Sequence, residues 1–315
     1  MIFWLQQLTN GLSLGAIIAL IALGYTMVYG VLKLINFAHG DILMVGAFVA
    51  IYAAMRAAHY GIPVWFPLIM PVSMAFCAAL GVVIEFVAYR PLRSAPRLAS
   101  LITAIGVSLF LESVGQWKLG AGRHAFPALL SDHRIEALAE RYGFYVYVSD
   151  LVIFASTLLL LVALQAIVKF TRFGKAMRAV SQDPEAARLM GVDVNRVITG
   201  TFALGSALAG AGGVMWGMKF GAADPLMGMD PGLKAFVAAV VGGIGNVPGA
   251  MVGGFIMGVA ETLVAACSIP IGRMWGSDLV IVGSNYRQAL GFLILILVLL
   301  LRPSGLFGRH EPEKV

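Results

Sequence analysis

The chain has 315 residues, 60% of them hydrophobic and 12% charged, with a mean hydropathy of +0.89. A soluble domain carries about 25% charged residues, so the composition excludes an ordinary soluble globule and makes lipid the solvent. The net charge of +6 does not mark a nucleic-acid partner, because Lys and Arg gather at the ends of apolar runs, the signature of membrane topology.

A helix needs roughly 20 apolar residues, at about 1.5 Å each, to cross the hydrocarbon. The N-terminal run has no Lys or Arg ahead of it and no small-residue cleavage site, so it reads as a retained first span over 8–32 and not as a signal peptide. Spans are then predicted at 42–58, 64–88, 98–117, 149–168 and 197–220, and a seventh at 286–301. The stretch 234–267 is apolar but broken by Gly242-Gly-Ile-Gly-Asn-Val-Pro-Gly249. It is read as a broken or re-entrant pair of arms with Asn246-Val247-Pro248-Gly249 at the turn, the alternative being one long kinked helix.

Between the first two spans, LINFAHGD (34–41) places Asn36, His39 and Asp41 within six residues. Two oxygen-type side chains and one His on a short turn are no metal signature, and Cys77 and Cys267 add neither metal spacing nor a disulfide framework. Asp41 is expected to cap the second span. Residues 88–97 carry Arg90, Arg93 and Arg97 and no acid, whereas 118–148 balances its bases with acids and 221–233 has Asp224 and Asp230 and no base. The positive-inside rule therefore puts 88–97 and 169–196 in the cytoplasm, the N-terminus outside, and, with two arms at 234–267, the C-terminal tail with Arg302, Arg309 and Lys314 inside. Within 118–148, SDHRIEALAERYG is a candidate amphipathic helix on the outer side.

Charges within the spans are few. Glu85 is read as a helix-end residue, Glu112 and Glu261 as packing or hydrogen-bond anchors, and Lys219 and Lys234 as lying nearer the ends. A proton- or sodium-coupled carrier is expected to hold more. Gly245, Gly249 and Gly253, and Gly254 and Gly258, recur every fourth residue, a spacing that lets helices approach closely in lipid. The fold class is thus an all-α polytopic membrane protein of about eight transmembrane helices, one domain over 1–315. Its cytoplasmic loop spans 169–196 and its periplasmic loop 118–148. Asn36, Gly242, Gly243, Gly245, Asn246 and Pro248 are candidates for a translocation path.

The polar interruption KFTRFGKAMRAVSQDPEAARLMGVDVNR (169–196) carries its own helix signals. Asp183 suits an N-cap, Pro184 the first helical position and Gly191 the stop. A short capped helix between two spans suits a docking surface for a cytoplasmic partner. Gly174-Lys175 lacks the preceding glycine of a phosphate loop and is followed by Ala, so the chain is not expected to be an enzyme or to hold a nucleotide cofactor.

Four segments, INFAHGD (35–41), YRPLRSAPRLASLITAIG (89–106), FGKAMRAVSQDPEAARLMGVDVNRVI (173–198) and KAFVAAVVGGIGNVPGAMVGGFIMGVAETL (234–263), resemble the LivH-type permease of branched-chain amino acid ABC importers. The likeness runs from the first span to Pro303–Arg309. It implies a bacterial inner-membrane subunit that pairs with a second, related permease, two cytoplasmic ATPases holding ATP and Mg²⁺, and a periplasmic binding protein. It also implies uptake of leucine, isoleucine, valine or a related small amino acid or amide. EAARLMG (185–191) is similar to the start of the motif by which importer permeases engage their ATPases, without its later Ile-x-Leu-Pro. The resemblance therefore assigns coupling to Glu185, Ala186, Ala187 and Gly191. The competing reading is a passive channel for a small polar solute.

Overall fold

The computed structural model describes residues 2–34, 36–93, 95–131, 133, 135, 145–274, 277–282 and 286–308. The helix expected at 131–143, save residues 131, 133 and 135, and the tail bases Arg309 and Lys314 lie outside these residues. With no water in hydrocarbon, helices satisfy their backbone internally, and helices dominate here. They are α1 (Ile2–Leu32), α2 (His39–His59), α3 (Phe66–Ile84), α4 (Arg97–Leu119), α5 (Val148–Phe170), α6 (Arg172–Gln182), α7 (Pro184–Leu189), α8 (Val194–Phe220), α9 (Met229–Gly242), α10 (Val247–Ala266) and α11 (Arg287–Leu301). Two small antiparallel pairs complete the set. β1 (His124–Ala125) pairs with β2 (Ala222–Ala223), and β3 (Ser268–Met274) with β4 (Ser277–Val282). Among the described residues seven helices are long and apolar enough to cross a membrane, and α11 is a shorter apolar one.

α1 is the axis of the bundle. Every residue from Ser13 to Val28 is buried, as expected of a helix that is apolar all round. Small residues let the backbones meet. A Cβ on Gly258 would overlap Gly15, and one on Gly254 would overlap Ala19, so α1 and α10 run antiparallel and interlock. α3, α2 and α8 meet the same way at Gly46, Gly210 and Gly81, where Ser73 Oγ donates to the Gly46 carbonyl at 2.7 Å. The four-residue glycine spacing thus serves internal packing, except at Gly245, which has nothing near its Cβ position. Apolar side chains such as Phe86, Ile102, Leu159 and Leu300 stay exposed, which suits contact with lipid.

The stretch 234–267 is two antiparallel arms. Gly242 packs on Gly249 and Gly253 on Ala238, so partner numbers fall as the chain advances. α9 already begins at Met229, inside the segment read as a loop, and its 14 residues reach only about 21 Å. The turn itself is 243–246. Val247, Pro248 and Gly249 belong to the first turn of α10, because Asn246 Oδ1 accepts from Gly249 N at 3.1 Å and caps the helix. Asp41 is not the cap of α2. The helix starts two residues earlier, and Asp41 Oδ2 accepts instead from Ser108 Oγ of α4 at 2.5 Å.

Ion pairs hold Asp150 and Glu261. Asp150 of α5 pairs with Lys219 of α8 at 2.5 Å and accepts from Ser13 of α1 at 2.7 Å. Glu261 of α10 takes Lys234 of α9 at 2.9 Å and Arg287 of α11 at 3.2 Å, and Lys234 also reaches Asp230 at 2.8 Å. Glu261 is therefore an anchor, and Lys234 is the sixth residue of α9, in its second turn.

Candidate functional site

One end of the bundle gathers the polar segment after α5, the α9–α10 turn and the segment after α11. There the chain leaves α5 by a sharp corner. Thr171 Oγ1 accepts from Gly174 N at 3.0 Å and opens α6. Gly174 is needed because a Cβ there would strike the carbonyls of Ile167 and Val168. α6 buries Met177 and Val180 against the bundle and turns Arg172, Lys175 and Arg178 outward, and the Arg178 guanidinium donates back to the Val168 carbonyl.

α7 follows at once. Asp183 Oδ1 accepts from Glu185 N at 2.9 Å and Ala186 N at 3.0 Å, with Pro184 in the first turn, where no N–H is missed. Ala187 is buried and fixes the helix to the bundle, while Glu185 and Ala186 face outward. Gly191, at φ +82°, turns the chain away in the left-handed region that glycine adopts without cost. Asp183, Pro184 and Gly191 thus stand where the spacing predicted, though α7 spans six residues and α6 is a separate helix before it. The sequence reading passed over Leu189 and Met190, 89% and 84% exposed. Two large apolar side chains held out from a polar loop suit a protein surface, not water; their signal was an apolar pair just before a glycine stop.

Behind α7 a polar latch ties α3 to the start of α8. α3 continues as a π turn over Glu85–Tyr89 and a 3-10 turn over Arg90–Leu92. The Arg93 guanidinium pairs with Glu85 and donates to Asn195 Oδ1 at 2.5 Å, and Thr199 Oγ1 donates to Glu85 Oε2 at 2.7 Å. Burial pushes Arg93 below its ordinary pKa while the Glu85 carboxylate pulls it back up. Glu85 is thus a helix-end residue, as its place five residues before Arg90 suggested.

The α9–α10 turn is sealed by the chain after α11. Leu306 N donates to Val241 O at 2.9 Å, Phe307 N to Gly242 O at 3.1 Å, and Asn246 Nδ2 to Phe307 O at 2.9 Å. Gly242 packs on Gly249 and Gly243 on Gly308, whereas Gly245, Asn246 and Pro248 line a cavity of about 860 Å³ between α1, α5 and α6. Asn36 is apart from it, buried with its Oδ1 accepting from Tyr89 Oη at 2.9 Å. Beside it the starts of α2 and α9 meet, Gly40 against Gly228 and Gly232. Helix ends that meet inside a bundle are a form that translocation sites take in other membrane carriers. The path candidates therefore fall into two groups, one at the turn and one at this meeting point. Among the described residues no group of three His, Cys, Asp or Glu side chains is placed to hold a metal.

The family described as "Branched-chain amino acid transport system / permease component" matches residues 7–299. The permease BraD of Pseudomonas aeruginosa is 40% identical over 315 residues, covering 99% of this chain and 98% of its own. LivH of Escherichia coli is 39% identical over 317 residues, covering 100% and 98%. Probable LivH of Methanocaldococcus jannaschii is 29% identical over 93% and 89%. The family model over residues 7–299 and the full-length matches to these permeases show that the chain belongs to the branched-chain amino acid transport system permease family.

Proposed function

We propose that this permease carries leucine, isoleucine, valine or a related small amino acid or amide across the inner membrane, driven by ATPase subunits that dock on α7. The observation that carries this reading is the short, doubly capped α7 with Leu189 and Met190 held outward. Asp183 and Gly191 make it rigid and Ala187 fixes it to the bundle, so a push on Leu189 and Met190 passes to the bundle as a displacement and not as fraying. The latch of Glu85, Arg93, Asn195 and Thr199 passes that displacement from α8 to α3. On this reading the end with α7, the glycine turn and the segment after α11 is cytoplasmic, and the N-terminus is periplasmic. A second, related permease covers part of the exposed apolar surface, and a periplasmic binding protein delivers the substrate at the far end, into a path that passes Asn36 and the α9–α10 turn.

The test is uptake of labelled leucine into vesicles that hold the complete importer, with ATP supplied or withheld and with isoleucine, valine, an amide or urea as competitors. ATP-dependent uptake that the branched-chain amino acids suppress supports the proposal. ATP-independent uptake points to a passive channel, and competition by amide or urea alone moves the substrate.

A further inference from the structure

Besides the α9–α10 turn, which the transport reading places on the path, the 860 Å³ cavity at the α6 end has a wall on α1, α5 and α6 that this reading leaves unused. α5 and α10 touch through Phe154 and Phe255, ring centroids 5.9 Å apart. They part toward α6, and the cavity fills the gap under α1. Its volume lies within the roughly 300–1,000 Å³ usual for small-ligand sites. One wall is apolar, with Met27, Val31 and Val168; the rim carries Lys33 and Arg178, and none of the lining residues is a carboxylate. Lys33 follows the end of α1 at φ +55°, the one non-glycine residue with positive φ among those described. That conformation is strained for a side-chain-bearing residue. Thr26 lines the same wall, 1% exposed, and its Oγ1 has no hydrogen-bond partner, a state that buried hydroxyls rarely hold.

We propose that this cavity seats an acidic membrane phospholipid. The phosphate lies between Lys33 and Arg178, the glycerol oxygens reach the Thr26 hydroxyl, and the first acyl carbons follow Met27, Val31 and Val168. Three features select this occupant. The lining is apolar along one wall and cationic at its rim, which matches a molecule built the same way. The cavity lies where α1 and α5 end, beside the exposed aromatic ring of Phe170 and the basic face of α6 with Arg172 and Lys175, the place of membrane-surface helices that bind acidic lipid. An Arg has five N–H donors, and the Val168 contact leaves Arg178 more to give. Met177, Arg178 and Ser181 of α6 form part of the wall, so the lipid braces the helix that leads into α7.

The coupling readout rests on the proposed function; the binding readout does not. The complete importer is placed in nanodiscs of phosphatidylcholine with increasing phosphatidylglycerol, and ATP hydrolysis stimulated by the loaded binding protein is followed. Saturable activation is expected, with the lipid concentration for half effect raised about fivefold per charge removed in Lys33→Gln and Arg178→Gln, the equivalent of about 1 kcal/mol each. Lys118→Gln, an exposed charge at the end of α4 and outside the cavity, serves as the control. Equal shifts in all three variants, or no lipid effect at all, would overturn the proposal. Activation by inorganic phosphate in phosphatidylcholine alone would assign the site to free phosphate and overturn the lipid. Independently of activity and of any variant, a photoactivatable phosphatidylglycerol should label residues 26–33, 165–168 or 244–248 of the unmodified complex. Labelling confined to other segments, including the ATPase face, would also overturn it.

Discussion

Glu261 lies deep in α10, 4% exposed, with Lys234 of α9 and Arg287 of α11 on the same oxygen. Removing Lys234 leaves Glu261 with the part-exposed Arg287 alone and Asp230 without its lysine, which costs less than the roughly 3 kcal/mol of a wholly stranded buried charge but more than the loss of an exposed pair. Lys234→Met should therefore lower the temperature at which the purified complex loses its monodisperse peak, while Arg196→Met, whose pair with Asp193 is exposed, should leave it unchanged. Equal behaviour would mean that the pair is solvated. Gly258 makes a second test. A side chain there has no space, because the backbone of Gly15 stands where its Cβ would go. Gly258→Leu should cost more than about 2 kcal/mol, read as loss of folded protein on fluorescence-detected size exclusion, whereas Gly245→Ala, with open space around it, should fold although its positive φ adds strain.

At the scale of elements, α7 is short enough for its caps to decide whether it holds. Asp183→Ala removes both N-cap hydrogen bonds, worth about 1 kcal/mol. It should reduce ATP hydrolysis stimulated by the loaded binding protein severalfold, with subunit assembly retained on affinity capture. Gly191→Val forces a β-branched residue to φ +82°, at about 1–3 kcal/mol, and should act in the same direction and more strongly. These caps were legible in the sequence because an N-cap, a following Pro and a glycine stop act locally. The spans were legible because lipid leaves the backbone no alternative to helix. The bonds of Glu85 with Arg93 and Thr199, and of Glu261 with Lys234 and Arg287, were not, since they join residues from 8 to 114 positions apart and no local pattern announces the partner. The early start of α9 was hidden by Asp224 before it and Asp230 in its first turn, which made 221–233 look like an outer loop. Asp41 was misread for a related reason. The chain dips back into the bundle after α1, so α2 starts at His39, packed against Gly24 of α1, and the carboxylate meets α4 instead of capping its own helix.

For the whole molecule, the antiparallel α9–α10 arms bring the turn at 243–246 to the same end as α6 and the segment 302–308, away from the α2–α3 connection. In a Cys77→Ala, Cys267→Ala background, a cysteine placed at Ile244 should react with an impermeant thiol reagent from the same side of sealed vesicles as one placed at Ser304. One placed at Tyr60 should react only from the opposite side. No reaction of the Ile244 position from either side would restore a single kinked helix over 234–267, which would hold that residue about 15 Å into the span. The central claim, that force enters through α7, is tested most directly in the assembled importer carrying Leu189→Asp and Met190→Asp. Binding-protein-stimulated ATP hydrolysis and labelled leucine uptake would be measured beside the amount of ATPase retained on the permease. Docking through these apolar side chains predicts that stimulated hydrolysis and uptake fall together by more than about tenfold, the rate equivalent of about 1.4 kcal/mol, with the membrane subunits still folded. Full stimulation and uptake in the double variant would contradict it and move the docking surface elsewhere on that end of the bundle.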